Sequence, residues 1–331
     1  MSFTTQSRKA FVTGGTGFVG SNLVAALIED RWAVVALHRP GSNVSDLKRL
    51  GVTLASGDIT DAASLDRAIP EAVDAVFSVA GDMSTWSRNN ARQTAMNVGG
   101  TRNLVQAALH KRARCFVHTS TAPAYGIDDA PLSEETVATA AGSWINYVRT
   151  KWLAEEEVRA GVTRGLHAVI INPCAILGPR DTTGWASLFA QIKAGRLKAL
   201  PPGVATWNHV RSVAWAHIAA VDKGRRGENY ILSGETQPLA VALRMMAEQL
   251  GGELTARVVP PFLFKTMGRL AGLVGAITGK QPALTPEMAT LMCWQNRCAT
   301  HKAETELGYE VVPLRRCIAD SHAWLVEHGR L

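Results

Sequence analysis

The sequence predicts an α/β fold, a doubly wound parallel sheet with a smaller, mostly helical cap. Three observations support this. Short β-branched runs alternate with helical stretches through the first half. A glycine-rich turn joins the first such run to the first helix, and after Pro173 prolines and helical periodicity take over. In order, Ala10–Val12 reads as a strand, Ser21–Asp30 as a helix, Ala33–Leu37 and Val52–Leu54 as strands, and Ala62–Ala68 as a helix. Ala75–Val79 is an apolar run of the kind buried on both faces. Val98–Leu109 is helical, Cys115–His118 a strand, Trp144–Arg159 a long helix and Ala168–Ile171 a strand. Strands alternating with helices at this spacing form βαβ units, hence a parallel sheet covered by helices on both sides. Asn229–Ser233 is strand-like, and helices dominate from Leu239. The expected division is residues 1–172 with about 207–235 in the sheet domain, and about 173–206 with 236–331 in the cap.

Composition narrows the class. With 331 residues, 47 % apolar and 19 % charged, the chain builds a full core and is not disordered. The net charge is +7, but the basic residues lie in short scattered groups such as His110-Lys111-Arg112 and Arg315-Arg316. That favours an anionic ligand and no nucleic acid, whose binders concentrate charge on one face. The five cysteines contain no C-x-x-C and the nine histidines no H-E-x-x-H, so no metal site is expected. Met1–Lys9 lacks an apolar signal core, and the apolar stretch Val258–Thr278 is interrupted by Lys265 and Arg269. No membrane span and a cytoplasmic location are therefore expected. Lys265 and Arg269, at i and i+4, also suit an interfacial helix over Phe262–Ile277; a cap helix lying on the pocket is the reading preferred here.

The first strand runs into Thr13-Gly14-Gly15-Thr16-Gly17-Phe18-Val19-Gly20 and then a helix. Gly14 permits a tight turn, Gly17 a close backbone approach to a pyrophosphate, and Gly20 close packing of helix on sheet. Unpaired N–H groups at the helix start, with their partial positive charge, suit an anion. Thr16, Phe18 and Val19 lie in the same turn. This is a dinucleotide-binding (Rossmann) arrangement. The second strand ends Leu37-His38-Arg39-Pro40, without the acid that would accept from a ribose 2′-OH. The Arg39 guanidinium can instead hold a 2′-phosphate through charge-assisted bonds. NADP(H) is therefore the expected cofactor, with NAD(H) as the second choice.

Tyr147-Val148-Arg149-Thr150-Lys151 lies within the long helix, and positions i and i+4 share a helix face. A nearby ammonium favours phenolate and is expected to lower the Tyr147 pKa toward working pH. Tyr147 is then a general acid or base for a carbonyl–alcohol pair.

These motifs together resemble the extended short-chain dehydrogenases/reductases, in the branch of dihydroflavonol-reductase-like and hydroxysteroid-dehydrogenase-like enzymes. Thr13–Gly20 is similar to that family's T-G-x-x-G-x-x-G. Gly57-Asp58-Ile59 resembles its adenine-binding turn, Val79-Ala80-Gly81 its nicotinamide-ribose segment, and Asn97–Thr101 its N-V-x-G-T. Asn172–Pro179 resembles the loop of carboxamide contacts, implying cofactor contacts from Pro173 and Ile176. The resemblance also implies Thr121 as the hydroxyl beside Tyr147, with Ser120 before it, Lys151 on the nicotinamide ribose, and Asn97 supporting a proton relay. It further implies a homodimer through Val98–Leu109 and Trp144–Arg159. The chain departs from the pattern at Arg211-Ser212, where many members carry two acids, at Pro40, and at Gly81, where alanine is usual.

Nine tryptophans are many for this length. Trp86, Trp144 and Trp185 could wall a pocket for a lipophilic or planar substrate; each is equally accounted for as a core or interface tryptophan. The leading functional expectation is an NADPH-dependent reductase of a hydrophobic ketone or aldehyde. A nucleotide-sugar epimerase or dehydratase, with Arg180, Lys198 and Arg211 on a substrate diphosphate, is the alternative. A non-catalytic dinucleotide sensor is the third; it leaves the Tyr147–Lys151 pair without a role.

Overall fold

The computed structural model describes residues 7–331; Met1–Gln6, most of the segment read above as lacking a signal core, lies outside the described residues. The first half runs β1 (Lys9–Thr13), α1 (Phe18–Glu29), β2 (Ala33–His38), α2 (Ser45–Arg49), β3 (Thr53–Ser56), α3 (Ala62–Ala68) and β4 (Ala75–Ser78). It continues through α4 (Asn90–Thr94), α5 (Gly100–His110), β5 (Cys115–Thr119), α6 (Asn146–Thr163) and β6 (Ala168–Pro173). The second half holds β7 (Ala175–Leu177), α7 (Ser187–Lys193), β8 (Ala199–Leu200), β9 (Val204–His209), α8 (Val210–Lys223), β10 (Asn229–Leu232) and β11 (Glu235–Pro238). It ends with α9 (Leu239–Gln249), β12 (Arg257–Val258), α10 (Pro261–Thr278), α11 (Pro286–Leu291) and α12 (Leu314–Glu327).

Seven strands form one sheet in the order β10-β6-β5-β4-β1-β2-β3, every pair parallel. The order reverses between β1 and β4, so a crevice opens at the carboxyl ends of those strands, where ligands of doubly wound sheets sit. Alternate residues of each strand feed opposite layers. Val12, Phe77 and Val117 pack under α1 and α8 with Leu23, Leu27 and Val213. Phe11, Val76, Phe116 and Ile170 pack under α3, α5 and α6 with Leu65, Leu104 and Val158. Each such side chain, fully buried, contributes about 1.5–3 kcal/mol. The sheet is thereby a rigid platform for the loops at its carboxyl edge.

The cap is less purely helical than its sequence suggests. β7, β9 and β11 form a small sheet and β8 pairs with β12. Leu177, Phe189, Trp207, Leu243 and Ile318 make its core with α7, α9 and α12. β7 has three residues, and its partner β9 begins 27 positions later, so local periodicity cannot reveal it. The Asn172–Pro179 segment, expected as a loop, contains that strand. Two helix bounds also shift. Helical turns begin at Asn90 and pass through a π-turn at Ala95–Gly99 before α5. α6 starts at Asn146, because Ser143 Oγ accepts the Ile145 N–H at 3.2 Å and holds the preceding residues in a turn; Trp144 is left outside the helix.

α10 packs on the segment that follows it. Gly268, Gly272 and Gly275 bring it so close to the 282–289 segment that an added Cβ would stand 2.6 Å from Ala289 Cβ, and 2.9 Å from Pro286 and Pro282 respectively. Its inner face rests there and its outer face is exposed.

Candidate active site

The glycine turn occupies the crevice between β1 and β4. Gly14 has φ +71°, and a Cβ there would lie 2.7 Å from the Ala80 backbone nitrogen; one on Gly20 would lie 2.1 Å from Gly14 O. Both positions demand glycine, the first for conformation and approach and the second for approach alone. The Gly17 N–H closes the turn onto Gly14 O at 2.9 Å. Gly17 precedes α1 in extended conformation with no side-chain cap, and the first turn holds no acid. The amides of Phe18 and Val19 thus begin a helix whose N-terminus is free of carboxylates, beside the exposed Thr16 and Gly17. These are the features a pyrophosphate needs, so the turn fits a dinucleotide.

Thr13 ties this turn to the next strand, a contact the sequence reading missed. Its Oγ1 accepts the Val79 and Ala80 N–H groups at 3.1 and 3.2 Å. Gly81 follows; a Cβ there would meet Asn97 Oδ1 at an ordinary 3.5 Å, so the alanine usual at this position also fits. Asp58 Oδ1 accepts from Thr60 N and Oγ1, both at 2.8 Å, which folds the turn after β3. Ile59 is buried beneath Gly100, where any Cβ would stand 2.6 Å from its Cδ1. Arg39 emerges exposed just past β2, on the same edge of the sheet.

Asn97 sits in the π-turn, buried, and every polar atom of its amide is engaged. Its Oδ1 accepts the Asp82 N–H at 2.8 Å, while Nδ2 donates to Asp82 O at 3.0 Å and to Thr150 Oγ1 at 3.1 Å. It therefore fastens the segment following β4 to α6. π-turns of this kind recur at functional sites.

On α6, Tyr147, Lys151, Glu155 and Arg159 follow at i+4 intervals and share one face. Lys151 Nζ donates to Thr119 O at 2.6 Å, at the end of β5. Burial pushes its pKa down to about 8, with Glu155 pulling the other way. The Tyr147 phenol is raised above its ordinary value by burial, and the Thr121 hydroxyl beside it pulls it partly back. This corrects the expectation that Lys151 lowers it: the ammonium is directed at the Thr119 carbonyl and desolvation of the phenol dominates. The phenol is accordingly neutral at physiological pH, a proton donor. Thr119 Oγ1 donates in turn to His217 Nε2 at 2.8 Å, since His217 Nδ1 donates to Val213 O at 2.7 Å; burial holds that imidazole neutral, at about 4.

Behind this face lies a buried network absent from the sequence reading. Glu155, 3 % exposed, accepts from Ser120 Oγ at 2.5 Å and Asn172 Nδ2 at 2.7 Å through one oxygen. Its other oxygen accepts from Asn229 Nδ2 at 3.0 Å and from both Arg159 Nη groups at 3.2 Å. Asn172 also donates to Thr121 O at 3.1 Å. One carboxylate thus joins the ends of β5 and β6, the start of β10 and helix α6. The i+4 spacing from Lys151 was the available signal for it. Ser120 is committed here, whereas the Thr121 hydroxyl stands beside Tyr147. Pro173 is buried at the end of β6, and Ile176 half-buried in β7.

The three tryptophans separate. Trp185 packs edge-on to Trp207, 4.9 Å between centroids, within the cap core. Trp144 is 56 % exposed. Trp86 is half-buried in the loop after β4, with the Arg88 guanidinium 5.5 Å above its ring. Of the basic residues considered for a diphosphate, Arg180 donates to Ser21 O at 2.9 Å and Arg211 pairs with Glu29 at 2.7 Å, both on α1. Lys198 is exposed.

Comparison with known proteins agrees with this geometry. The model of the NAD dependent epimerase/dehydratase family matches residues 10–233. "Sterol demethylase protein B" of Methylococcus capsulatus is 32 % identical over 326 residues, covering 97 % of this chain and 99 % of its own. A "2-alkyl-3-oxoalkanoate reductase" of Stenotrophomonas maltophilia is 27 % identical, covering 91 % and 94 %. Among solved structures, gox2253 superposes with a TM-score of 0.86 at 31 % identity, covering 98 % of this chain and 100 % of its own.

Proposed function

The chain belongs to the NAD-dependent epimerase/dehydratase family and is an NAD(P)-dependent oxidoreductase acting on hydroxyl and carbonyl groups, and from that premise we propose that it is an NADPH-dependent reductase of a hydrophobic ketone or aldehyde. The observation that carries the proposal is the α6 face: a neutral, half-buried phenol beside the Thr121 hydroxyl, at the carboxyl edge that also holds the glycine turn.

Gly14–Gly20 would hold a nicotinamide dinucleotide, and hydride transfer to a carbonyl carbon is the chemistry that group would supply. Tyr147 gives its hydroxyl proton to the carbonyl oxygen as negative charge grows there, a general-acid contribution of about 10²–10⁴-fold. Thr121 donates a hydrogen bond to the same oxygen and so stabilises the developing alkoxide. Lys151, anchored by Thr119, keeps positive charge beside that oxygen and the nicotinamide ribose. Asn97, with its amide fully engaged, positions α6 against the segment after β4. Arg39, exposed and without a carboxylate neighbour at the end of β2, reads the 2′-phosphate; Asp58 and Ile59 shape the adenine side, and Ala80, Gly81, Pro173 and Ile176 the nicotinamide side.

The two relatives, a sterol demethylase protein and a 2-alkyl-3-oxoalkanoate reductase by name, support a lipophilic substrate. The engagement of Arg180 and Arg211 with α1 weighs against a substrate diphosphate. Trp86 is the tryptophan best situated to line the substrate site, because its loop follows the nicotinamide segment. A homodimer through α5 and α6 belongs to the same proposal, and light scattering measures it. The deciding experiment follows NADPH absorbance against a panel of ketones and aldehydes, with NADH and UDP-sugars in parallel. Turnover of apolar carbonyls with NADPH is expected; tight UDP binding with retained NAD and no carbonyl turnover would establish the epimerase instead.

A further inference from the structure

α10 presents an unusual surface. Around a helix advancing 100° per residue, Phe264, Gly268 and Gly275 face the protein. The opposite arc, about 140° wide, carries Phe262, Leu263, Met267, Leu270, Leu273, Val274 and Ile277, every one exposed; Phe262 is 73 % and Ile277 86 % accessible. The one hydroxyl in that arc, Thr266, turns back to donate to Phe262 O at 2.8 Å. Such a contiguous apolar face marks an interaction surface, not ordinary scatter.

Charge says what it meets. From Arg257 to Lys280 the chain carries Arg257, Lys265, Arg269 and Lys280 and no acid. Among the described residues none of these four is ion-paired. Lys265 and Arg269 fall together along one flank of the apolar arc. Arg88, on the loop after β4, adds a fifth cation where its Nη2 donates to Ala276 O at 2.8 Å. No helix of the described residues is long and apolar enough to cross a membrane. An apolar arc flanked by unpaired cations, on a helix that does not span, is the pattern of a segment lying in the plane of an anionic bilayer.

We propose that α10 docks this protein on the surface of a membrane containing anionic lipid, with Phe262, Leu270, Leu273 and Ile277 entering the acyl boundary and Lys265 and Arg269 meeting the headgroups. Through the segment beneath its inner face, α10 is joined to the candidate active site. Thr285 Oγ1 donates to Thr85 Oγ1 at 3.1 Å, joining the start of α11 to the loop after β4, and Leu291 of α11 packs in the cluster that includes Tyr147. Docking stands independently of the reductase reading, because binding is measured without turnover.

The test is flotation of the full chain with phosphatidylcholine vesicles, with and without phosphatidylglycerol. Each basic residue at an anionic surface is worth about fivefold in affinity. Wild type is therefore expected to float with the anionic vesicles, roughly tenfold or more above neutral ones, and to be released by high salt. Lys265→Glu with Arg269→Glu should remove the lipid preference, and Leu270→Asp with Ile277→Asp should abolish flotation. The milder Leu270→Ser with Ile277→Ser serves if the aspartates unfold the chain, and NADPH affinity should be unchanged in each folded variant. Absence of flotation by wild type, or undiminished flotation by the apolar-face variants, overturns the proposal. So does self-association in solution that those variants abolish while vesicles stay unbound, which would make the occupant a second copy.

Discussion

The phosphate turn and the catalytic face of α6 lie on the same edge of the sheet yet are made in opposite ways. The turn is backbone: its donors are main-chain amides, its shape depends on two glycines, and its components are contiguous from Thr13 to Gly20. The α6 face is side chains drawn from β5, β6, β10 and α6, held by one carboxylate buried at 3 % exposure. A backbone site is indifferent to pH and tolerant of its surroundings. A side-chain site gains reactivity from burial, and the same burial shifts its pKa values, lowering Lys151 to about 8 and raising Tyr147.

The contrast can be broken at either pole. Tyr147→Phe should lower carbonyl reduction by about 10²–10⁴-fold while leaving the NADPH dissociation constant unchanged, as stopped-flow turnover and fluorescence titration would register. Equal damage to binding would mean the two regions are not separable.

Glu155→Ala strips the acceptor from Ser120, Asn172, Asn229 and Arg159. Leaving such groups buried and unpaired should cost about 3 kcal/mol of stability in urea unfolding, whereas Glu155→Gln, which keeps one acceptor, should cost less. A neutral result would show that the network does not hold the catalytic face together.

Arg39→Ala should weaken NADPH by about 10–100-fold, the worth of charge-assisted bonds to a phosphate, and leave NADH nearly unaffected in paired titrations. Equal losses would remove the 2′-phosphate assignment.

A smaller effect sharpens the pH contrast. Lys151 loses its proton as pH rises through about 8. The kcat/KM for NADPH, which reports free-enzyme groups, should therefore be level below that pH and decline above it, by about tenfold per pH unit where the ammonium is essential. The phenol, raised by burial, stays protonated across that range. A decline on the acid side instead would place the critical proton elsewhere.

The same distinction explains what the sequence disclosed. β1 to β6 and their longer helices were legible because β-branched runs and helical periods are local, and the glycine turn because eight neighbouring residues suffice; the five-residue helices α2 and α4 are too short to show a period. Arg39 was singled out by its position past a countable strand end, and the structure places it exposed there. β7 was not found, because three residues become a strand only through β9. The direction of the Tyr147 shift was misread because spacing shows that Lys151 shares its face, not that Thr119 O receives the ammonium. Glu155 was on that face too; a lone carboxylate there reads as solvent-facing until Asn172 and Asn229 arrive from other strands. Trp185 was offered as a pocket wall and is a cap-core partner of Trp207. For α10 the period showed an amphipathic helix but not which side turns inward; Gly268, Gly272 and Gly275 seat it on the 282–289 segment with its apolar arc outward.

The central claim, that this edge of the sheet passes hydride to an apolar carbonyl under proton donation by Tyr147, is tested most directly with NADPH deuterated at the nicotinamide C4. Reduction of a ketone by the wild-type chain should yield alcohol with deuterium on the carbinol carbon from one face only, at a rate Tyr147→Phe does not approach. Alcohol free of the label, or equal labelling rates in the two proteins, would contradict it.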